Sequence, residues 1–230
     1  MIKLGYFGGF RIAYRDDTTD VDVLQHSFDN DVFYPGVPEY VPSIEDVVVE
    51  IGSHIGTFSI LSSLKVGLVY SVEACLESFN LLCINMALNR CWNMRASHLA
   101  ISDRDGECSL YHDSGNWGHT IVREVSSSEE KVISCTLKSF LKTNGITTCQ
   151  FLKLNCEGAE FPILLSTPKD VLDRFETMLV LYHNDLWDKN TVEDLISHLD
   201  GFDCVVRNKS IQRGWLVAKN KRCQKKQENQ

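Results

Sequence analysis

From residue 46 onward the sequence alternates short, wholly apolar runs with amphipathic segments, a pattern that few architectures accommodate. Val47–Ile51, Leu68–Val72, Met94–Ile101, Phe151–Leu154 and Met178–Tyr182 read as buried strands. Ile55–Leu64, Leu76–Asn89, Leu137–Thr143 and Val192–Leu199 have helical spacing. Strands separated by helices predict an α/β fold, a parallel sheet wrapped on both faces. Cys108–His112 and Lys131–Cys135 read as extra strands flanking the polar loop 113–128, and Phe202–Arg207 with Gly214–Ala218 as a closing hairpin. In such sheets ligands bind at the carboxyl ends of the strands, so chemistry is sought there.

Residues 1–44 form a separate N-terminal extension. Ile2–Tyr6 and Phe10–Tyr14 flank Gly8-Gly9 as a hairpin, an Asp-rich connection follows, and Phe33–Tyr40 reads as an aromatic, proline-bearing loop. Residues 45–218 are the main domain and 219–230 a basic tail, read as a frayed terminus. The 230 residues carry 23 Lys and Arg against 31 Asp and Glu; without the tail the balance is 18 against 30. A body that acidic repels phosphate backbones and anionic lipid, so neither nucleic acid nor membrane is an expected partner. No apolar run reaches transmembrane length, and the N-terminus shows no signal-peptide pattern. Nine scattered cysteines without a Cys-x-x-Cys pair read as reduced thiols, mostly buried. They offer no close-spaced zinc ligands, so no metal site is expected and the protein reads as cytoplasmic.

The first strand ends in Glu50-Ile51-Gly52-Ser53-His54-Ile55-Gly56-Thr57. Two glycines between a strand and a helix let the backbone turn tightly and approach a ligand. The three-glycine dinucleotide fingerprint is absent, which counts against a nicotinamide cofactor. The second strand ends in Val72-Glu73-Ala74, with the carboxylate 17 residues beyond Gly56. Doubly wound folds place there an acid that accepts hydrogen bonds from ribose hydroxyls. The fourth strand runs into Asn155-Cys156-Glu157-Gly158-Ala159-Glu160 and the fifth into His183. The bland reading makes Glu157 and Glu160 dipole-stabilised helix-start acids and His183 a structural histidine. The functional reading puts Asn155, Glu157 and His183 beside the crevice.

These blocks, with Ala100-Ile101-Ser102-Asp103-Arg104-Asp105-Gly106 and Cys135-Thr136-Leu137-Lys138-Ser139-Phe140-Leu141 between them, follow one another in an order that closely resembles the FkbM family of S-adenosylmethionine-dependent methyltransferases. The resemblance spans about residues 45–205, and its most specific piece is Lys153-Leu154-Asn155-Cys156-Glu157-Gly158-Ala159-Glu160. It implies a class I methyltransferase fold: a Rossmann-like seven-stranded, mostly parallel sheet with helices on both faces. It also implies S-adenosyl-L-methionine as cofactor and O-methylation of a small-molecule, peptide or natural-product acceptor. N-methylation of a peptide or amide, or a cofactor-binding member that transfers nothing, are the alternatives.

The resemblance assigns Glu50, Gly52, Ser53, His54, Gly56, Thr57, Glu73, Ala74, Leu99 and Ala100 to the cofactor. Asn155 and Glu157 would position the acceptor or the cofactor's amino group, and His183 would remove the acceptor's proton. Tyr34, Tyr40, Asn116 and Trp117 are expected on a substrate lid, with ordinary packing as the alternative reading. Departures from the family are Glu50 where the first-strand acid is usually Asp, Ser53-His54 in the glycine turn, Asn155 where an Asp is usual, and Tyr182-His183 where the fifth strand commonly ends Glu-x-His. A neutral Asn155 is a poor sole anchor for a hard cation, which argues against metal-assisted chemistry.

Overall fold

The computed structural model describes residues 1–30, 34–113, 118–210 and 212–223. In chain order the elements are β1 (Ile2–Phe7), β2 (Phe10–Arg15), α1 (Asp20–Asn30), β3 (Val47–Ile51), α2 (Thr57–Ser63), β4 (Leu68–Glu73) and α3 (Leu76–Leu88). There follow β5 (Met94–His98), β6 (Ala100–Ser102), β7 (Gly106–Tyr111), β8 (Glu129–Thr136), α4 (Leu137–Thr143) and β9 (Cys149–Leu154). The chain then forms α5 (Glu160–Ser166), α6 (Lys169–Leu172), β10 (Phe175–His183), α7 (Val192–His198), β11 (Phe202–Arg207) and β12 (Arg213–Asn220).

Seven strands form one sheet in the order β11-β12-β10-β9-β3-β4-β5. The pairs β5–β4, β4–β3, β3–β9 and β9–β10 are parallel, while β12 runs antiparallel to both its neighbours. The expected closing hairpin is therefore threaded with its second strand inside. Chain order reverses between β3 and β9, which makes the carboxyl ends of these strands and of β4 a crevice.

Both faces of the sheet are covered, as the wholly apolar strands require. Successive strand residues point to opposite sides. Val48, Phe151 and Leu179 pack with α2, α3 and the N-terminal extension. Val49, Leu152 and Val180 pack with α4, α5 and α7. The extension is stitched to the domain by the buried Asn85 side chain of α3. Its Oδ1 accepts the Ala13 N–H at 2.7 Å, and its Nδ2 donates to the carbonyls of Ala13 and Ile55.

Two sequence expectations shift. Met94–Ile101 is not one strand: Leu99 N–H turns to the Glu73 carbonyl, and β6 joins a separate small sheet with β8 and β7. Part of the assigned tail is folded, since Lys219 and Asn220 belong to β12 and Lys219 Nζ donates to Thr177 Oγ1 at 3.2 Å. Of the nine cysteines, Cys75, Cys91 and Cys149 are fully buried and Cys83 is exposed; of the five half-buried ones Cys108, Cys135, Cys156 and Cys204 pack against the edges of the apolar clusters. Among the described residues no helix is long and apolar enough to cross a membrane.

Candidate functional site

A cleft holding about 620 Å³ of atom-free space, its open mouth included, lies at the carboxyl ends of β3, β4 and β9. Ile51, Gly52 and His54 line it from the end of β3 and the turn after it, Val72, Glu73 and Ala74 from the end of β4, and Asn155, Cys156 and Glu157 from the turn after β9. Leu99, Ala100 and Ile101 form another wall.

The turn after β3 is built on backbone contacts. Gly52 N–H and Ser53 N–H both donate to the Val72 carbonyl, and Asn155 N–H donates to the Ile51 carbonyl. Gly52 has φ +82°, and a Cβ there would stand 1.9 Å from the Asn155 carbonyl oxygen. Only glycine lets β3 and β9 approach so closely at their ends. At Gly56 the constraint is the backbone, φ +96° at the turn into α2, where a Cβ would also meet the tip of Leu82; this glycine does not line the cleft.

Glu73 is the electrostatic centre of the site. Its Oε2 accepts His54 N–H at 2.7 Å and its Oε1 accepts Cys75 N–H at 2.9 Å. Burial pushes its pKa up, with the two N–H donors opposing. Glu73 lines the cleft, and each of its oxygens has capacity for a further donor. Asn155 contributes a buried Oδ1 without a hydrogen-bond partner.

Several expected contacts lie elsewhere. Glu50 is not in the cleft wall: its Oε1 accepts Lys153 Nζ at 2.7 Å, its Oε2 accepts Ser59 Oγ, and both charges are buried beneath α2. Removing either partner would strand a buried charge, so the pair is structural. Ser53 bonds the Glu50 carbonyl, and Thr57 is buried at the start of α2; neither lines the cleft. Tyr34 and Tyr40 form no lid. Tyr40 stacks on Phe151 with ring centres 4.6 Å apart and donates to Asp46, while Tyr34 donates to Ser62 Oγ. Both are core residues under the extension. Phe33, Asn116 and Trp117 lie outside the described residues.

His183 does not line the cleft either. Its Nδ1 is 3.1 Å from Glu160 Oε1 and its Nε2 is 3.4 Å from Glu157 Oε1. Burial would lower its pKa, but the two carboxylates outweigh burial and raise it. A histidine held between two acids favours the protonated ring and is a poor neutral base. Glu160 also accepts the N–H groups of Cys156 and Gly158, so it braces the turn. Glu157, at φ +48°, does line the cleft, and burial pushes its carboxyl up to about 7 against the pull of His183.

Folding also gathers groups that sequence spacing keeps apart. Ligand atoms of Cys75, His112 and His119 all lie within 4.8 Å of one another, against the expectation of no candidate metal ligands. His119 lines the cleft as well. The extension reaches the same wall: His54 Nε2 lies 3.1 Å from Asp20 Oδ1. No sequence signal marked Asp20, which sits in a run of exposed-looking aspartates.

The sequence matches the profile of the methyltransferase FkbM domain over residues 50–204, more than half of the chain. No curated protein matches it. Among solved structures, methyltransferase FkbM from Methylobacillus flagellatus KT is similar at a TM-score of 0.55 and 12% identity. That match covers 81% of this chain and 47% of the other, so this chain spans about half its length. SMU.1697c of Streptococcus mutans, solved in complex with SAH, matches at a TM-score of 0.51 and 9% identity over 78% and 91% of the two chains. TYW2 of M. jannaschii, in complex with AdoMet, matches at 0.50 and 12% over 95% and 84%. At such identities these structures share the fold alone, but the domain profile goes further: this chain belongs to the FkbM methyltransferase family.

Proposed function

We propose that the cleft binds S-adenosylmethionine and that the chain transfers its methyl group to an oxygen of a small-molecule or peptide acceptor. The observation that carries this reading is the convergence of Gly52, Glu73, Leu99–Ala100, Asn155 and Glu157 on one cleft from four chain segments. The residues present fit the cofactor. Glu73 has acceptor capacity for two ribose hydroxyls, the orphaned Asn155 Oδ1 suits an ammonium group, and Leu99, Ala100 and Ile101 offer an apolar wall to a base. When bound, the cofactor supplies a methyl group already activated on a sulfonium.

The chain's own work is then alignment and proton removal. A hydroxyl acceptor must lose its proton as the methyl arrives. Glu157, with a carboxyl near 7 in the cleft wall, is the base we assign, and His183 with Arg213 sets its charge environment. The net charge of −8 argues against a polyphosphate acceptor. The test is calorimetric titration with S-adenosylmethionine and S-adenosylhomocysteine, with NAD as control. It is followed by mass spectrometry of candidate acceptors for the gain of one methylene. Binding of NAD in place of the sulfonium compounds would overturn the assignment.

A further inference from the structure

The loop after β7 places in the cleft a side chain that the reading above does not use. His119 Nδ1 accepts the backbone N–H of Asp113 at 3.0 Å. That nitrogen therefore presents its lone pair, and the proton of a neutral ring sits on Nε2. Nε2 is buried and has no hydrogen-bond partner. Burial, with His112 adding to it, pushes the ring's pKa down to about 4, so the ring stays neutral at physiological pH. A buried N–H without an acceptor is a standing penalty that a ligand can relieve.

The neighbours say which part of a ligand would do so. His119 shares the cleft wall with Leu99, Ala100, Leu110 and Ile121, an apolar slot beside Ala74. A flat heteroaromatic base suits that slot, and a ring nitrogen is the acceptor such a base carries on its edge. Ser78 also lines the cleft, but its hydroxyl already accepts from Arg15 Nη2 at 3.2 Å.

We propose that His119 reads the nucleobase of the cofactor, its Nε2–H donating to a ring nitrogen of adenine. The inference rests on the cofactor assignment above. The competing use of the same residue is a metal site with Cys75 and His112. A metal needs a lone pair on the ligating nitrogen. Here the lone pair of Nδ1 faces Asp113 and Nε2 carries the proton, and burial holds the Cys75 thiol in its protonated form. The arrangement is that of a donor, not of a ligand set.

The test is calorimetric titration of S-adenosylhomocysteine into wild type, His119→Phe and His119→Gln, each first shown to melt with wild type. Phe keeps the ring and removes the donor; affinity should fall roughly tenfold. Gln restores an N–H and should recover most of it. Analogues with N1, N3 or N7 of adenine replaced by carbon identify the acceptor: one should bind wild type roughly tenfold more weakly and His119→Phe no more weakly than the parent compound. Equal affinity of wild type and His119→Phe, or no discrimination among the analogues, would overturn the proposal. So would tight zinc binding that disappears in both Cys75→Ala and His119→Phe. Failure of wild type to bind S-adenosylhomocysteine at all would instead overturn the cofactor assignment beneath it.

Discussion

Asp20 Oδ1, at the start of α1, lies 3.1 Å from Nε2 of His54 in the cleft wall. The same carboxylate takes the Arg15 backbone N–H and Nε on Oδ2 and Arg15 Nη2 on Oδ1. Arg15 and Asp20 are 3% and 0% exposed, so this pair stands in the interior where an unpaired charge is expensive. These partners hold the Asp20 carboxyl well below its ordinary range despite burial. The N-terminal extension is thereby part of the site's support: it fixes a residue whose backbone N–H holds Glu73.

Asp20→Ala removes the buried carboxylate that pairs with Arg15 and leaves the exposed Glu77, 3.1 Å from Arg15 Nη1. Denaturant unfolding should show a loss of about 3–5 kcal/mol. S-adenosylhomocysteine affinity should also fall, because His54 Nε2 loses Asp20 while Arg15 Nη2, 3.0 Å from the same nitrogen, loses the carboxylate that orients it. An unchanged midpoint would show that the Arg15–Asp20 pair does not hold the extension down.

Two glycines separate strain from collision. Gly145 has φ +65° with open space around its would-be Cβ, so Gly145→Ala should cost about 1 kcal/mol from backbone conformation. At Gly52, alanine meets a backbone oxygen at 1.9 Å and must force β3 from β9. Its cost should exceed that of Gly145→Ala by at least about 2 kcal/mol, with cofactor binding lost. Equal melting temperatures for the two variants would refute the close-approach argument.

The sheet was legible because its strands are buried on both faces and read as unbroken apolar runs. The glycine turn and Glu73 were legible because they sit at strand ends, where the fold dictates the address of a ligand. What stayed hidden depends on side-chain direction. Glu50 and Glu73 are both strand-end acids in the sequence. One points at Lys153 beneath α2 and the other at the His54 and Cys75 amides beside the cleft. Tyr40 looked like a lid because it lies in an aromatic loop, but it stacks on Phe151. Contacts across 34 or more residues, such as Asp20 with His54 or His119 with Cys75, carry no local signature.

Glu73→Ala removes the acceptor proposed for the ribose and also frees His54 N–H and Cys75 N–H. Calorimetry should register a loss of roughly 2–3 kcal/mol in S-adenosylmethionine binding. Wild-type affinity in this variant would remove Glu73 from the cofactor site.

The last prediction joins catalysis to stability through Glu157. Its carboxyl, pushed up from 4.5 to about 7, binds a proton more tightly in the folded than in the unfolded chain. An acid raised on folding contributes stability that is fully present below its unfolded pKa and lost as pH rises through its folded one. His183, raised as well, adds a loss of the same sign as pH passes its own folded value. Wild type should therefore lose stability from about pH 5 to 8, by at most about 3 kcal/mol for Glu157. Glu157→Gln cannot ionise, so its melting temperature should change less over that span and exceed wild type at about pH 8. Its turnover should move the other way. A base must be deprotonated to work, so wild-type turnover should rise with pH through about 7, while Glu157→Gln should be roughly 10²–10⁴-fold slower with a flat profile. A variant both slower and more stable at alkaline pH is what a buried catalytic base produces and a merely structural carboxylate does not. Wild-type turnover in Glu157→Gln would return the proton to another group, and an unchanged pH dependence of melting would show that burial does not raise this carboxyl.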